Sequence, residues 1–382
     1  MPTLTDDEIR DRIADGSIFA ISVDTSIFDR YGCNLGYAAL RKLDQFQGKH
    51  IRVLLSEVIE GEVVAHIRNS ATETQRALKT ALNKHRRRWA ITDQAAAIPA
   101  GLALTGTPAT EAQRQMDDFV AVLGAEIVDA TDLDTIAPEV LRRYFAFEPP
   151  FEDSEKKKHE FPDAFALLSL EASAEQEDKL ILCVSADNGW KDFAEASNRL
   201  VVIDDLDRAL SLFNEADNAF ADALVARLKA GTAPALLADI ENSIQARLDD
   251  FDWTIDAHSP LELDIEPLSA ALQSVNLDGV EPTVIAADGD FVTFIVKLDA
   301  LVSFEAIFSY SVRDSVDRDY VSLGSEEEEV EKTIGVEVAV TMAREQDSEP
   351  EATEVQVAKQ RFEVDFGYVE PFRNEDPTHE KY

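Results

Sequence analysis

The chain predicts two regions of different class. The N-terminal one is α/β, built on a central parallel, doubly wound sheet. The C-terminal one is mainly antiparallel β and is reached through a helical stretch. Three observations carry this reading. Short apolar runs alternate with helical periodicity as far as about residue 205, the pattern of a parallel sheet. From about residue 260, strand-like runs follow one another with turn signals between them, the pattern of antiparallel strands. The charge is also divided. Of the net −39 over 382 residues, residues 1–200 carry −11 and residues 201–382 carry −28. Such an asymmetry points to separate roles. The expected segments are 1–205, a helical connector over 206–258, and an acidic β-rich region over 259–382.

Taken in order, Thr5-Asp6-Asp7-Glu8 reads as a capping box that starts a helix. Residues 18–24 form an apolar strand ending in Asp24, and Leu35 to Phe46 has helical spacing. A second strand covers 50–55. Ser56 then caps a long helix running to about Arg88, with Val58, Ile59, Val63 and Ile67 on the 3.6-residue period. Residues 90–122 read as helical, broken near Gly101 and Pro108. Further strands are expected at 125–128, 180–184 and 200–203, with helices over 136–146 and from Pro162, where a proline in the first turn costs no hydrogen bond. The stretch 207–248 is helical with an interruption near Gly231-Thr232-Ala233-Pro234. Asp288-Gly289 between two apolar runs signals a hairpin. More strands are expected at 301–312, 333–343 and 354–367, with Glu326–Glu331 as a solvated turn between two of them.

Composition excludes several classes. The apolar fraction is that of a globular protein with sizeable cores. No apolar run is long enough to span a bilayer, and the acidic, helical start is unlike a secretory signal. The two cysteines, Cys33 and Cys183, lack metal-site spacing. The expectation is a soluble, cytoplasmic protein with reduced thiols and no membrane partner. The net acidity argues against broad nonspecific attraction to nucleic acid, which needs basic surface. Two basic clusters, Lys84 to Arg88 and Lys156-Lys157-Lys158, both lie in the less acidic half.

Four acids stand at the ends or on the inner faces of expected elements. Asp24 ends the first strand, Glu62 borders the inward face of the long helix, Asp163 opens a helix, and Asp187 follows the strand 180–184. Each alone reads as a cap or a solvated residue. Together they resist ionising without a cation, and an all-oxygen set selects Mg²⁺ or Mn²⁺. Two such ions activate water and stabilise the leaving oxygen in attack on phosphate. This is the constellation of a metal-dependent nuclease. Asp192 is a further candidate ligand, though a first-turn charge is favoured for it. His66 and His159 read as surface or loop residues, and Trp89 and Trp190 as packed rather than base-stacking.

Four blocks then resemble the PIN domain family, and within it the larger bacterial PIN-like proteins: Ser-Val-Asp-Thr-Ser-Ile-Phe at 22–28, Leu-Ser-Glu-Val-Ile-Glu-Gly-Glu-Val-Val at 55–64, Glu-Phe-Pro-Asp-Ala-Phe-Ala-Leu at 160–167 and Val-Ser-Ala-Asp-Asn-Gly-Trp-Lys-Asp-Phe at 184–193. The resemblance spans residues 17–205. It implies a three-layer α/β/α fold and a Mg²⁺- or Mn²⁺-dependent phosphodiesterase, most often an endoribonuclease on single-stranded RNA. It carries the acidic ligands onto Asp24, Glu62, Asp163 and Asp187, the neighbouring hydroxyl onto Thr25, and the orienting Ser onto Ser185. Many members carry a second acid two residues after the last one. Here Asn188 to Lys191 intervene before Asp192, so the place of Asp192 is open.

The lysines 156–158, just upstream of Asp163, are candidates to hold the substrate backbone. A toxin or phage-defence role, with restraint by the C-terminal half, a protein regulator or self-association, is the biological expectation. The rival readings are a catalytically silent PIN-fold binding protein, a structure-specific DNA nuclease, and a phosphatase, which wants Asp-x-Asp where Asp24-Thr25-Ser26 stands.

Overall fold

The computed structural model describes residues 4–89, 106–130, 135–151, 160–248, 250–313, 320–345 and 349–371. The chain divides into two compact units, Met1–Glu215 and Ala216–Tyr382.

In the first unit, helix α1 (Asp6–Ala14) starts at the Thr5/Glu8 capping box. It leads into a five-stranded parallel sheet: β1 (Ile18–Val23), β2 (Arg52–Ser56), β3 (Glu126–Val128), β4 (Leu180–Val184) and β5 (Leu200–Ile203), in the order β3-β2-β1-β4-β5. Every residue of β1 and β4 is buried. Central strands covered on both faces tolerate continuous apolar runs, and Ile-Phe-Ala-Ile-Ser-Val and Leu-Ile-Leu-Cys-Val supply them. The edge strand β3 is short and mostly exposed. Connecting helices are α2 (Thr25–Arg30), α3 (Ala38–Arg41) with a 3-10 turn over Lys42–Phe46, α4 (Glu57–Arg88), α5 (Pro108–Leu123), α6 (Ile136–Ala146), α7 (Phe161–Glu177), α8 (Asn188–Ala196) and α9 (Leu206–Ser211). The expected helix over 35–46 is thus a short α-helix tightened into 3-10. Residues 90–105, read as helical from sequence, lie outside the described residues.

Helix α4 changes character along its length. Its buried residues are Ile59, Val63 and Ile67. Beyond Ile67 no side chain is buried, so the remaining turns run largely exposed. Among the described residues, no helix is long and apolar enough to cross a membrane.

The helical stretch expected as a connector is divided between the units. Helix α9 belongs to the first, whereas α10 (Asn218–Lys229) and α11 (Pro234–Leu248) belong to the second. Leu224, Val225, Leu228, Leu236, Ile240 and Ile244 bury their stripes against Phe294, Val296, Phe304, Val338 and Val340 of the β-sheet. An amphipathic face needs a partner surface, and the sheet provides it.

That sheet comprises β7 (Glu262–Asn276), β8 (Pro282–Ala287), β9 (Phe291–Arg313), β10 (Tyr320–Ala343) and β11 (Glu354–Val357), all antiparallel. A separate parallel pair joins β6 (Asp252–His258) to β12 (Arg361–Tyr368). The Asp288-Gly289 hairpin falls where the sequence places it, between β8 and β9. Glu326–Glu331 is not a turn. It lies inside β10, paired with Ser303 to Phe308 of β9. Long-range pairing overrides the low strand propensity of glutamate. Glu329 faces Glu305 directly, a like-charge pair that is unfavourable by itself. The Ser303 hydroxyl donates to Glu329, and the Ser269 hydroxyl donates to Glu305 at 2.7 Å.

Phe304 is fully buried in this core and lies against Trp253 and Phe362, with centroids at 5.1 and 5.5 Å. Phe304→Ala is expected to cost about 3–5 kcal/mol in chemical denaturation. A loss under about 1 kcal/mol would show that the ring does not anchor the core.

Candidate active site

The strand order reverses direction at β1. The chain steps outward from it through β2 and β3, then returns to its other side with β4 and β5. Open α/β sheets bind ligands beyond the carboxyl ends of the strands at such a switch point. Asp24 immediately follows β1 and Asp187 follows β4, so both stand at that crevice.

Asp24 is buried and caps α2. Its Oδ1 accepts the Thr25 backbone N–H at 2.7 Å. Its Oδ2 accepts the Ser26 hydroxyl at 2.6 Å, the Ser185 hydroxyl at 2.8 Å and the Ser26 backbone N–H at 3.3 Å. Burial nevertheless outweighs these donors and raises its pKa above the usual carboxylate range. Ser185 and Ser26 also accept from the β4–α8 turn. The Asp187 N–H donates to Ser185 Oγ at 3.1 Å, and the Ala186 N–H donates to Ser26 Oγ at 3.2 Å. The hydroxyls therefore lock the ends of β1 and β4 to one another.

Glu62, half-buried on α4, accepts the Thr25 hydroxyl at 2.7 Å. Asp187 is exposed and caps α8, accepting the Gly189 N–H at 2.6 Å. A Cβ at Gly189 would stand 2.9 Å from Asp187 Oδ1 and 3.3 Å from Pro150, so this close approach requires glycine. Asp163, in the first turn of α7, is half-buried and accepts the Trp190 indole N–H at 3.0 Å.

Asp163 reports on the whole group. Its pKa is pushed up to about 7, first by burial and then by the negative charges of Asp24, Asp187 and Glu62, against the lowering effect of the Trp190 donor. The structure thus places the other three predicted acids within electrostatic reach of Asp163. Among the described residues, no ion pair joins a lysine or arginine to any of them. In donor chemistry, an all-oxygen set of like charge is the kind that a hard divalent cation takes. Asp192 is exposed, a turn further along α8, and is not among the charges that lift Asp163. The lysines 156–158 and His159 lie outside the described residues.

Sequence reasoning treats Trp190 as packing alone. The ring is fully buried, as expected, but its N–H also serves Asp163. The Asp187-Asn-Gly-Trp190 spacing is the sequence signal for this second role. Trp89, expected to pack, is 69% exposed at the end of α4. His66 is exposed, with Nδ1 2.7 Å from Asp29 Oδ1.

An open parallel α/β sheet with carboxylates at its switch point defines the class of protein: an α/β fold with an acidic crevice at the carboxyl ends of its central strands. Residues 21–190, just under half of the chain, match the family model described as PIN domain. The matched region is similar to PIN domains, which are generally nucleases, and the antiparallel β region follows it. No curated protein and no solved structure matches the chain.

The raised Asp163 pKa has a signed consequence for the metal-free protein. Between the ordinary Asp value of 3.8 and about 7, the folded protein holds a proton that the unfolded chain has released. Stability is therefore fullest below that window and falls as pH rises through it. In EDTA, denaturation midpoints should drop as pH climbs toward 7, and Asp163→Asn should flatten that drop. Trp190→Phe, which removes the indole donor, should move Asp163 titration still higher. A wild-type midpoint independent of pH over this range would refute the account.

Proposed function

We propose that this protein is a metal-dependent endoribonuclease acting on single-stranded RNA. In this reading Asp24, Glu62, Asp163 and Asp187 hold Mg²⁺ or Mn²⁺, with Asp192 as an outlying candidate. The observation that carries it is the placing of Asp24, Glu62 and Asp187 around the half-buried Asp163, whose burial, joined by those three charges, pushes its pKa up to about 7. When bound, divalent ions supply Lewis acidity to the attacking water and the leaving oxygen. The chain's own residues set the frame. Ser26 and Ser185 orient Asp24, Thr25 orients Glu62, and Trp190 orients Asp163.

Helix α4 offers a path for substrate. Arg68, Arg76, Lys79, Lys84, Arg86, Arg87 and Arg88 oppose a single acid, Glu73, over residues 68–89 in a chain of net charge −39. The helix places this stretch along about 30 Å leading away from Glu62, at about 1.5 Å per residue. Phosphate backbone follows such a positive track, and the exposed Trp89 offers a ring to a base. The lysines 156–158, upstream of Asp163 in the sequence, remain a second proposed contact. The acidity of the C-terminal unit repels RNA and suits control through a protein regulator or self-association. A cytoplasmic toxin or phage-defence enzyme would need that restraint.

The test is cleavage of labelled single-stranded RNA and DNA with Mn²⁺, Mg²⁺ or EDTA. Wild type should cut RNA internally only with metal. Asp24→Asn should lower the rate by roughly 10²–10³-fold. Ser185→Ala and Thr25→Val, which loosen the orienting bonds, should cost roughly 10–100-fold. Paired Arg87→Glu and Arg88→Glu changes should raise KM and weaken its salt dependence with kcat held. Cutting of DNA alone would reassign the substrate. Absence of cutting with either metal would move the protein to a nucleic-acid-binding role.

A further inference from the structure

A second convergence of ligand atoms lies one helical turn from the carboxylates. The side chains of Asp29, Cys33 and His66 each place one donor atom within 4.8 Å of the other two. Cys33 Sγ lies 3.3 Å and His66 Nδ1 lies 2.7 Å from the same atom, Asp29 Oδ1. Two elements build the group. Asp29 is on the last turn of α2 and Cys33 lies just beyond that helix, while His66 is on α4.

The backbone at Cys33 adds an independent observation. The α2 helix closes through two consecutive left-handed residues, Gly32 at φ 62° and Cys33 at φ 53°. Glycine suits the first. A side chain at the second is strained. The Cys33 N–H closes the turn on Phe28 O at 2.8 Å, and this conformation brings the thiol back to Asp29. Strain retained where a reactive side chain is aimed at other ligands points to a role for that side chain.

We infer that Asp29, Cys33 and His66 bind a borderline-soft divalent cation of the Zn²⁺ class, with the fourth position left to water. Thiolate, imidazole and carboxylate form the donor set that such an ion takes, and three protein ligands leave an open site. The four acids of the switch point, all hard oxygen, select differently. The protein therefore carries two sites of distinct preference side by side. A coordinating thiol gives up its proton to the site. Bound metal ties the end of α2 to α4, and these elements carry Asp24 five residues before Asp29 and Glu62 four residues before His66. The brace thus fixes the separation of two acids without touching either. It is independent of the nuclease reading, since a chain that cuts no RNA can still bind the ion.

The test titrates metal-stripped full-length protein with Co²⁺ and follows the thiolate-to-metal charge-transfer absorbance. Cys183 is fully buried in β4, so the band reports Cys33. One equivalent should produce the band, and Zn²⁺ should displace it and raise the melting temperature. Cys33→Ser should abolish the band. His66→Gln, at an exposed position that leaves the fold intact, should weaken Zn²⁺ binding by about 10–100-fold. Asp24→Asn should leave band and affinity unchanged. No band in folded wild type, Zn²⁺ binding that survives both Cys33→Ser and His66→Gln, or a band lost with Asp24→Asn would each overturn the inference.

Discussion

The buried carboxylate of Asp24 is the group on which the N-terminal unit is organised. It ends β1, caps α2 and accepts two serine hydroxyls, one from its own turn and one from the end of β4. Burying a charge is costly unless it is hydrogen-bonded. The same bonds that offset this cost hold β1 and β4 in register just where the sheet reverses its winding. Removing Ser185 would therefore loosen a strand junction as well as a side chain. Fold and site share these atoms.

From that junction the site is assembled by helices that arrive separately. Helix α4 delivers Glu62 to the Thr25 hydroxyl, α7 delivers Asp163, and α8 delivers both Asp187 and the indole that holds Asp163. Each acid has its own neutral donor. Those donors set direction without neutralising charge, so at Asp163 burial and the charges of the other three acids together raise the pKa. A site left in that condition favours whatever cation satisfies it, and preorganised oxygen donors lose little freedom on doing so.

The parts legible in the sequence are those governed by neighbouring residues. Ile-Phe-Ala-Ile-Ser-Val and Leu-Ile-Leu-Cys-Val declare buried central strands, and Val58 to Ile67 declares a packed helix. The positions of Asp24 and Asp187 after β1 and β4 are legible because strand ends in such a sheet converge, whereas Glu62 and Asp163 lie on helices and only the PIN resemblance groups them with the first two. What local pattern does not encode stays hidden. The Glu326–Glu331 run is strand only because β9 lies beside it. The parallel pairing of β6 with β12 joins segments more than 100 residues apart. Helices α10 and α11 read as a linker because their partner sheet comes later in the chain. The link from Trp190 to Asp163 crosses 27 residues and two elements.

The glutamates of β10 also bear on how this chain stays dispersed. Among the described residues, its pairing with β11 spans only Val338 to Thr341, so from Tyr320 toward Glu337 its ladder partner is β9 on one side. A long, flat edge invites another molecule to add a strand and begin aggregation. Glu327, Glu329 and Glu331 stand exposed along that strand, and an incoming copy would bring the same charges against them. Repulsion between identical strands then acts as a gatekeeper against fibre growth. It is strongest at low ionic strength and fades where salt screens it.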